Sequence, residues 1–135
     1  MKKILLISTL AAMALVACGA QPVQLSGTSW VLSSLDGSTQ LGAVAGGNDI
    51  TIEFDAAGRA GGNGGCNGYG ADYTLTGNGG IEFGPAVSTM MYCEPDLVMQ
   101  NESALLSALA EITNFQVVGN TLTLTGGGHT LVFTR

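Results

Sequence analysis

The segment "RAGGNGGCNGYGADY", residues 59–73, decides how this sequence folds. It places six glycines between Gly61 and Gly70 around one cysteine, Cys66. Glycine permits positive φ angles and close approach of two backbones. The segment therefore predicts either a glycine loop that holds a ligand or a tight bend beside the cysteine.

Phosphate binding does not fit the segment. The P-loop motif needs a lysine after its last glycine, and the chain's lysines are Lys2 and Lys3. The dinucleotide motif needs three spaced glycines that open a helix. Gly62 and Gly64 are spaced correctly, but Asn67 stands at the third position and a strand-like pattern follows. The bend is the better interpretation.

Residues 1–17 have the layout of a secretory signal peptide. A short basic head is followed by 13 uncharged residues, Ile4 to Val16, and by the small residue Ala17. This run is shorter than the roughly 20 residues that a membrane-spanning helix needs.

The residues Leu15-Val16-Ala17-Cys18 resemble the lipobox of bacterial lipoproteins. In a lipobox the cysteine is acylated and becomes the first residue of the mature chain. Several acyl chains on one residue give stable anchoring. Gly19 follows the cysteine, and by resemblance to enterobacterial sorting this favours the outer membrane. We expect residues 18–26 to form a lipidated tether and the protein to face the periplasm.

The mature chain is strongly acidic. Lys2 and Lys3 leave with the signal peptide, so Arg59 and Arg135 remain against ten acidic residues and the formal net charge becomes −8. Nucleic-acid binding is disfavoured because it depends on Lys and Arg neutralising phosphates. Electrostatic docking on anionic lipid is disfavoured for the same reason. Scattered carboxylates without a distinct pair indicate a solvated surface rather than acid–base catalysis.

Two cysteines remain once Cys18 is acylated. In an oxidising compartment Cys66 and Cys93 favour a disulfide over two free thiols. A thiol enzyme would need the chain's one histidine, His129, as a base. Zinc would need His129 and Glu94 with both cysteines, in a spacing that matches no compact pattern. We therefore expect no metal, no cofactor and no catalytic residue.

Alternation and turn signals predict an α+β fold over residues 27–135. Short strands are expected at 29–35, 50–54, 69–75 and 81–83, with a three-stranded meander at the C-terminus. One α-helix, about 95–112, has an apolar stripe of Val98, Leu105, Leu109 and Ile112, with Glu102 and Glu111 assigned to its polar face. We expect a curved antiparallel, part-closed β-sheet with this helix packed on it and a loop at 40–48.

Two blocks of residues resemble the signature of META domains. The first is Gly65-Cys66-Asn67 with Tyr69, Gly70 and Tyr73, and the second is Ser88 to Cys93, "STMMYC", which includes Met91. Gly27 to Trp30 and Thr121 to Leu124 support the match. The family includes HslJ-like heat-shock lipoproteins associated with novobiocin resistance.

The resemblance implies a non-enzymatic envelope lipoprotein with a role in stress response, envelope homeostasis or binding. Its partner would be an envelope protein or a small ligand, while Cys18 attaches it to the membrane. A periplasmic inhibitor or accessory subunit is the alternative, and a thiol-based enzyme is a less favoured one. The expected binding surface contains the aromatic residues Trp30, Tyr69, Tyr73 and Tyr92.

Overall fold

The structure, a computed structural model, describes residues 24–135. The signal peptide, Cys18 and the tether up to residue 23 lie outside the described residues. The described residues contain nine strands and one α-helix, in chain order: β1 (Thr28–Leu35), β2 (Thr51–Phe54), β3 (Arg59–Asn63), β4 (Gly68–Gly77), β5 (Gly80–Phe83), β6 (Val87–Ser88), α1 (Asp96–Leu109), β7 (Asn114–Val118), β8 (Thr121–Gly126) and β9 (His129–Thr134). The predicted loop at 40–48 contains one short 3₁₀ turn, Gly42–Ala45.

Eight of these strands form a closed antiparallel barrel. The sheet runs β3-β2-β1-β9-β8-β7-β5-β4, and β3 pairs again with β4 to close the ring. The two-residue β6 adds to the outer edge of β4. The prediction of a part-closed sheet was therefore wrong, although the mostly antiparallel sheet with one helix is confirmed.

Closure depends on β3, which lies in the glycine-rich segment. Its residues Gly61 and Gly62 pair with Gly70 and Tyr69 of β4. Backbone hydrogen bonds form a ladder without help from side chains, so glycines can complete the ring even though they are rare in strands. Alternation of side chains cannot reveal such a strand.

The interior of the barrel is packed with apolar side chains. Alternate residues of each strand point inward, as pleating requires, and the largest fully buried ones include Trp30, Phe54 and Phe133. Helix α1 contributes Leu105, Ala108 and Leu109 to the same core. The helix ends at Leu109, three residues before the predicted end.

The barrel has two different ends. Because neighbouring strands are antiparallel, the β2–β3, β4–β5 and β7–β8 turns lie where β1 begins, beside residue 24, the first residue that the structure describes. We call this the tether end. The β3–β4 and β8–β9 turns lie at the other end, where a Cβ on Gly64 would meet the Glu102 side chain of α1. We call this the helix end.

Candidate functional site

A disulfide joins Cys66, in the β3–β4 loop, to Cys93, just before α1. Their Cα atoms are 5.8 Å apart, and their sequence separation is 27. Because each sulfur is bonded to the other, neither is a free thiol in this structure. The predicted bridge is thus present beside the glycine-rich bend.

Asn67 lies next to the bridge and is 2% exposed. Its Oδ1 accepts hydrogen bonds from the Met91 N–H at 2.7 Å and from Thr89 Oγ1 at 2.8 Å. Its Nδ2 donates to the Met91 carbonyl at 3.0 Å. A single amide therefore pairs with both backbone groups of Met91 and fixes the 89–91 segment against the barrel.

Glu102 of α1 holds Asn67 from the other side. Its Oε2 accepts from the backbone N–H groups of Asn67, at 2.6 Å, and Cys66, at 3.2 Å. Its Oε1 accepts from Asn67 Nδ2 at 2.6 Å. All three partners are donors, so the site suits a carboxylate, which accepts only. We call Cys66, Asn67, Cys93 and Glu102 the signature cluster.

The assignment of Glu102 to the polar face of the helix was wrong. The side chain is 4% exposed, on the same face as Val98 and Leu105. The sequence contains the signal: the apolar stripe steps by seven from Val98 to Leu105 and passes over position 102, which helical geometry places between them. A polar residue inside an apolar stripe predicts a buried hydrogen-bonded group.

Two positions of the bend beside this cluster require glycine. A Cβ on Gly64 would lie 2.8 Å from both Cγ and Oε2 of Glu102, so the backbone must pass directly over the carboxylate. Gly65 adopts a φ of 109°, which side-chain-bearing residues rarely adopt. The glycine-rich segment is thus a bend shaped around a disulfide and a buried glutamate.

The segment that the signature cluster fixes carries exposed apolar side chains. We call the following residues the exposed strip: Val87, Met90, Met91, Tyr92 and Leu97. Met90 is 97% exposed, Val87 68% and Tyr92 66%. Contiguous exposed apolar side chains are typical of interaction surfaces. Met91, a signature residue, thus has its backbone held inside and its side chain presented outside.

Most of the aromatic residues expected on a binding surface lie elsewhere. Trp30 is 2% exposed, and its Nε1 donates to Thr28 Oγ1 at 2.7 Å while the Arg135 guanidinium lies 4.4 Å from the ring centroid. Tyr69 is 8% exposed and donates to the Thr51 carbonyl, and burial raises the pKa of its phenol. Both side chains are part of the barrel's packing.

The other two tyrosines differ from each other. Tyr73 packs edge-on against Phe54 with centroids 5.1 Å apart, and partial burial raises the pKa of its phenol. Tyr92 lies on the exposed strip and donates a hydrogen bond to Asp96, which raises its pKa. Of the four predicted contacts, the structure places Tyr92 on the most accessible surface.

His129 is paired with a carboxylate at the helix end. Its Nδ1 lies 2.7 Å from Asp36 Oδ2, and the backbone N–H of Thr130 donates to Asp36 Oδ1 at 2.8 Å. The Thr130 bond and the histidine lower the pKa of Asp36. The Asp36 hydrogen bond, helped by the charge of Glu111, raises the pKa of His129.

We expect the Asp36–His129 pair to make a pH-dependent contribution to stability. The histidine part is complete below pH 6.5 and is lost as pH rises through its raised pKa. The aspartate part is complete above pH 3.8 and is lost as pH falls through its lowered pKa. The difference in melting temperature between wild type and His129→Gln should therefore be largest between these values. Melting curves from about pH 3 to about pH 9, a range that spans both ordinary pKa values, measure this difference. A difference that does not change with pH would contradict a stabilising Asp36–His129 pair.

Within residues 24–135 there is no group of three or more His, Cys, Asp or Glu side chains placed to hold a metal ion. In the same part of the chain, no helix combines the length and apolar character needed to cross a membrane.

Comparison with known proteins agrees with the two signature blocks. The META domain family matches residues 23–135. An NMR structure of a protein from Burkholderia xenovorans is 31% identical, with a TM-score of 0.66, and the alignment covers 94% of this chain and 98% of that one. A second NMR structure is 22% identical, with a TM-score of 0.67 and coverage of 86% and 95%. A crystal structure of a DUF4847 family protein from Bacteroides vulgatus shares the fold at 15% identity, a TM-score of 0.54 and coverage of 82% and 93%. No curated protein matches. The chain belongs to the META domain family.

Proposed function

We propose that this META domain is a lipid-anchored, non-enzymatic binding protein of the bacterial envelope, with a role in envelope homeostasis under stress. The observation that carries the proposal is the exposed strip. Its side chains are large and apolar, yet the backbone around its central residues is fixed by the disulfide and by the Asn67 hydrogen bonds. A rigid apolar surface loses little conformational entropy on binding.

The partner's chemistry follows from the charges beside the strip. Glu94 and Asp96 are exposed within the same segment, while Arg59 lines a surface depression beside Val87. The mature chain has eight more acidic than basic residues. A second copy of this acidic chain would be repelled, since like charges facing each other destabilise an interface. The strip therefore suits an envelope protein with an apolar groove and basic residues around it.

The anchor and the strip are tested together in intact cells. A photoreactive phenylalanine analogue replaces Met90, and in a matched variant it replaces Ser33, which is exposed on β1. We expect a discrete crosslinked protein adduct at position 90 that is much weaker at position 33. Equal adducts at both positions would overturn the strip as a binding surface.

The Cys18→Ala variant tests the lipid anchor. It should move the chain from the membrane fraction to the soluble fraction, because the acyl chains provide the attachment. A chain that stays with the membranes would contradict lipidation. An inhibitor or accessory subunit would differ in remaining bound to its partner, in a fixed ratio, throughout purification.

A further inference from the structure

An apolar cleft opens at the tether end of the barrel. It has a volume of about 410 Å³ and is lined by Leu75, the Gly77–Gly80 turn, Phe115, Gln116 and Val117. Phe115 and Val117 pair with Leu124 and Leu122, which are fully buried. The cleft is therefore a place where side chains of the barrel's interior face reach the surface.

The cause is a short contact between two strands. β5 and β7 share one ladder pair, Gly80 with Asn114. Beyond that pair the Phe115 N–H donates to the Gly79 carbonyl of the β4–β5 turn at 2.8 Å, and β7 then continues past this turn toward the tether end. The interior-facing residues Phe115 and Val117 are only half-buried there. Leu75, opposite, is 46% exposed.

The strands on the β7 side of the cleft carry no acidic side chain. Strands β1, β7, β8 and β9 and the turns 77–80 and 119–120 contain no Asp, Glu, Lys or Arg. Val118 is 66% exposed, and it lies in one register row with Thr121, Thr134 and Val31. Arg135 follows β9, and its backbone N–H donates to the carbonyl of Asn120 in the β7–β8 turn. The ten acidic residues occupy other parts of the domain, so this sector, with Arg135 at its edge, lacks the negative charge of the rest of the protein.

We propose that this cleft and Val118 dock against the lipid surface to which the chain is anchored. The inference rests on the proposed lipidation of Cys18. Five residues, 19–23, then lie between the acylated Cys18 and Gln24, and a chain of that length spans at most about 20 Å. Because Gln24 lies at the tether end, this end faces the membrane. The exposed strip adjoins the β3–β4 loop at the helix end, where Met91 bonds to Asn67, so it faces away from the membrane.

Charge supports the lipid surface as the occupant. Anionic headgroups repel the acidic residues on the remaining sectors, whereas the sector without acidic residues approaches without that repulsion. Apolar side chains of a surface-bound element enter the boundary between headgroups and acyl chains. The cleft supplies such side chains at the point of closest approach.

The experiment uses the mature lipidated protein, residues 18–135, reconstituted into phosphatidylcholine vesicles. A tryptophan replaces Val118, or Met90 in the matched control, and the buried Trp30 supplies a constant background. Lipids brominated near the top of their acyl chains quench tryptophans at that depth. We expect quenching of the Val118→Trp signal by about twofold or more, since docked apolar residues lie about 5–10 Å deep, and little change for Met90→Trp.

Further variants distinguish docking of the cleft from anchoring by the lipid. Leu75→Asp, combined with Val118→Trp, should remove the quenching while the protein still floats with the vesicles. Val87→Asp, an exposed position on β6, should leave the quenching in place. A protein that floats but shows equal quenching at positions 118 and 90 overturns the docking. A protein that does not float overturns the lipid anchor of the proposed function.

Discussion

Replacing Glu102 with glutamine is expected to lower the free energy of unfolding by about 3 kcal/mol, although the two side chains have nearly the same shape. The carboxylate accepts three hydrogen bonds, from two backbone N–H groups and from the Asn67 amide. A glutamine has one acceptor and one donor. In either orientation its NH₂ group faces another donor inside the protein.

Urea unfolding measures this loss. The matched control is Glu82→Gln, which makes the same change at an exposed position on β5 and should alter stability by no more than about 0.5 kcal/mol. A Glu102→Gln protein as stable as the control would show that the three hydrogen bonds have no net effect.

A second substitution tests whether donor and acceptor matching is the cause. Asn67→Asp alone places a carboxylate against Glu102 and the Met91 carbonyl, and it should also be strongly destabilising. Combined with Glu102→Gln, the new carboxylate accepts from the glutamine NH₂, while the glutamine oxygen still accepts from the backbone of Cys66. The double variant should be more stable than the sum of the two single losses by more than about 0.5 kcal/mol.

The parts of the fold that sequence could predict are those with alternating or helical side-chain patterns. β2, β8 and β9 alternate between buried residues and residues that are half-buried or exposed, and α1 shows its apolar stripe. β3 has no such pattern, because Gly61 and Gly62 have no side chains to alternate. β3, the strand that closes the barrel, is therefore recognised from its backbone pairing with β4 and not from its side-chain pattern.

The candidate site was likewise only partly predictable from the sequence. Counting cysteines and inferring the compartment predicted the pairing of Cys66 with Cys93. The burial of Glu102 required knowing which helix face meets the β3–β4 loop, which is a tertiary contact. Met90 and Tyr92 are of residue types that are usually buried or partly buried. They are exposed here because the Asn67 hydrogen bonds and the disulfide hold their segment on the outside of a barrel whose interior is packed with other side chains.

Removing the disulfide has the other large expected effect. The double variant Cys66→Ala/Cys93→Ala should be less stable by about 3.5 kcal/mol, because the bridge closes a loop of 27 residues in the unfolded chain. Urea unfolding of the oxidised protein and of the variant provides the measurement. Reductant should lower the stability of the wild type and leave the variant unchanged, and reductant sensitivity of the variant would contradict the assignment.

The loop closed by the bridge contains β4, β5 and β6, including β4, whose pairing with β3 completes the barrel. If the bridge acts on the unfolded chain, its loss leaves the native barrel unchanged, and the fluorescence of the buried Trp30 in the absence of urea should be the same in both proteins. The unfolded variant is less constrained and exposes more surface, so its urea slope m should be larger than that of the oxidised protein. Unchanged m together with shifted Trp30 fluorescence would instead assign the bridge's effect to the native state, where it fixes the exposed strip.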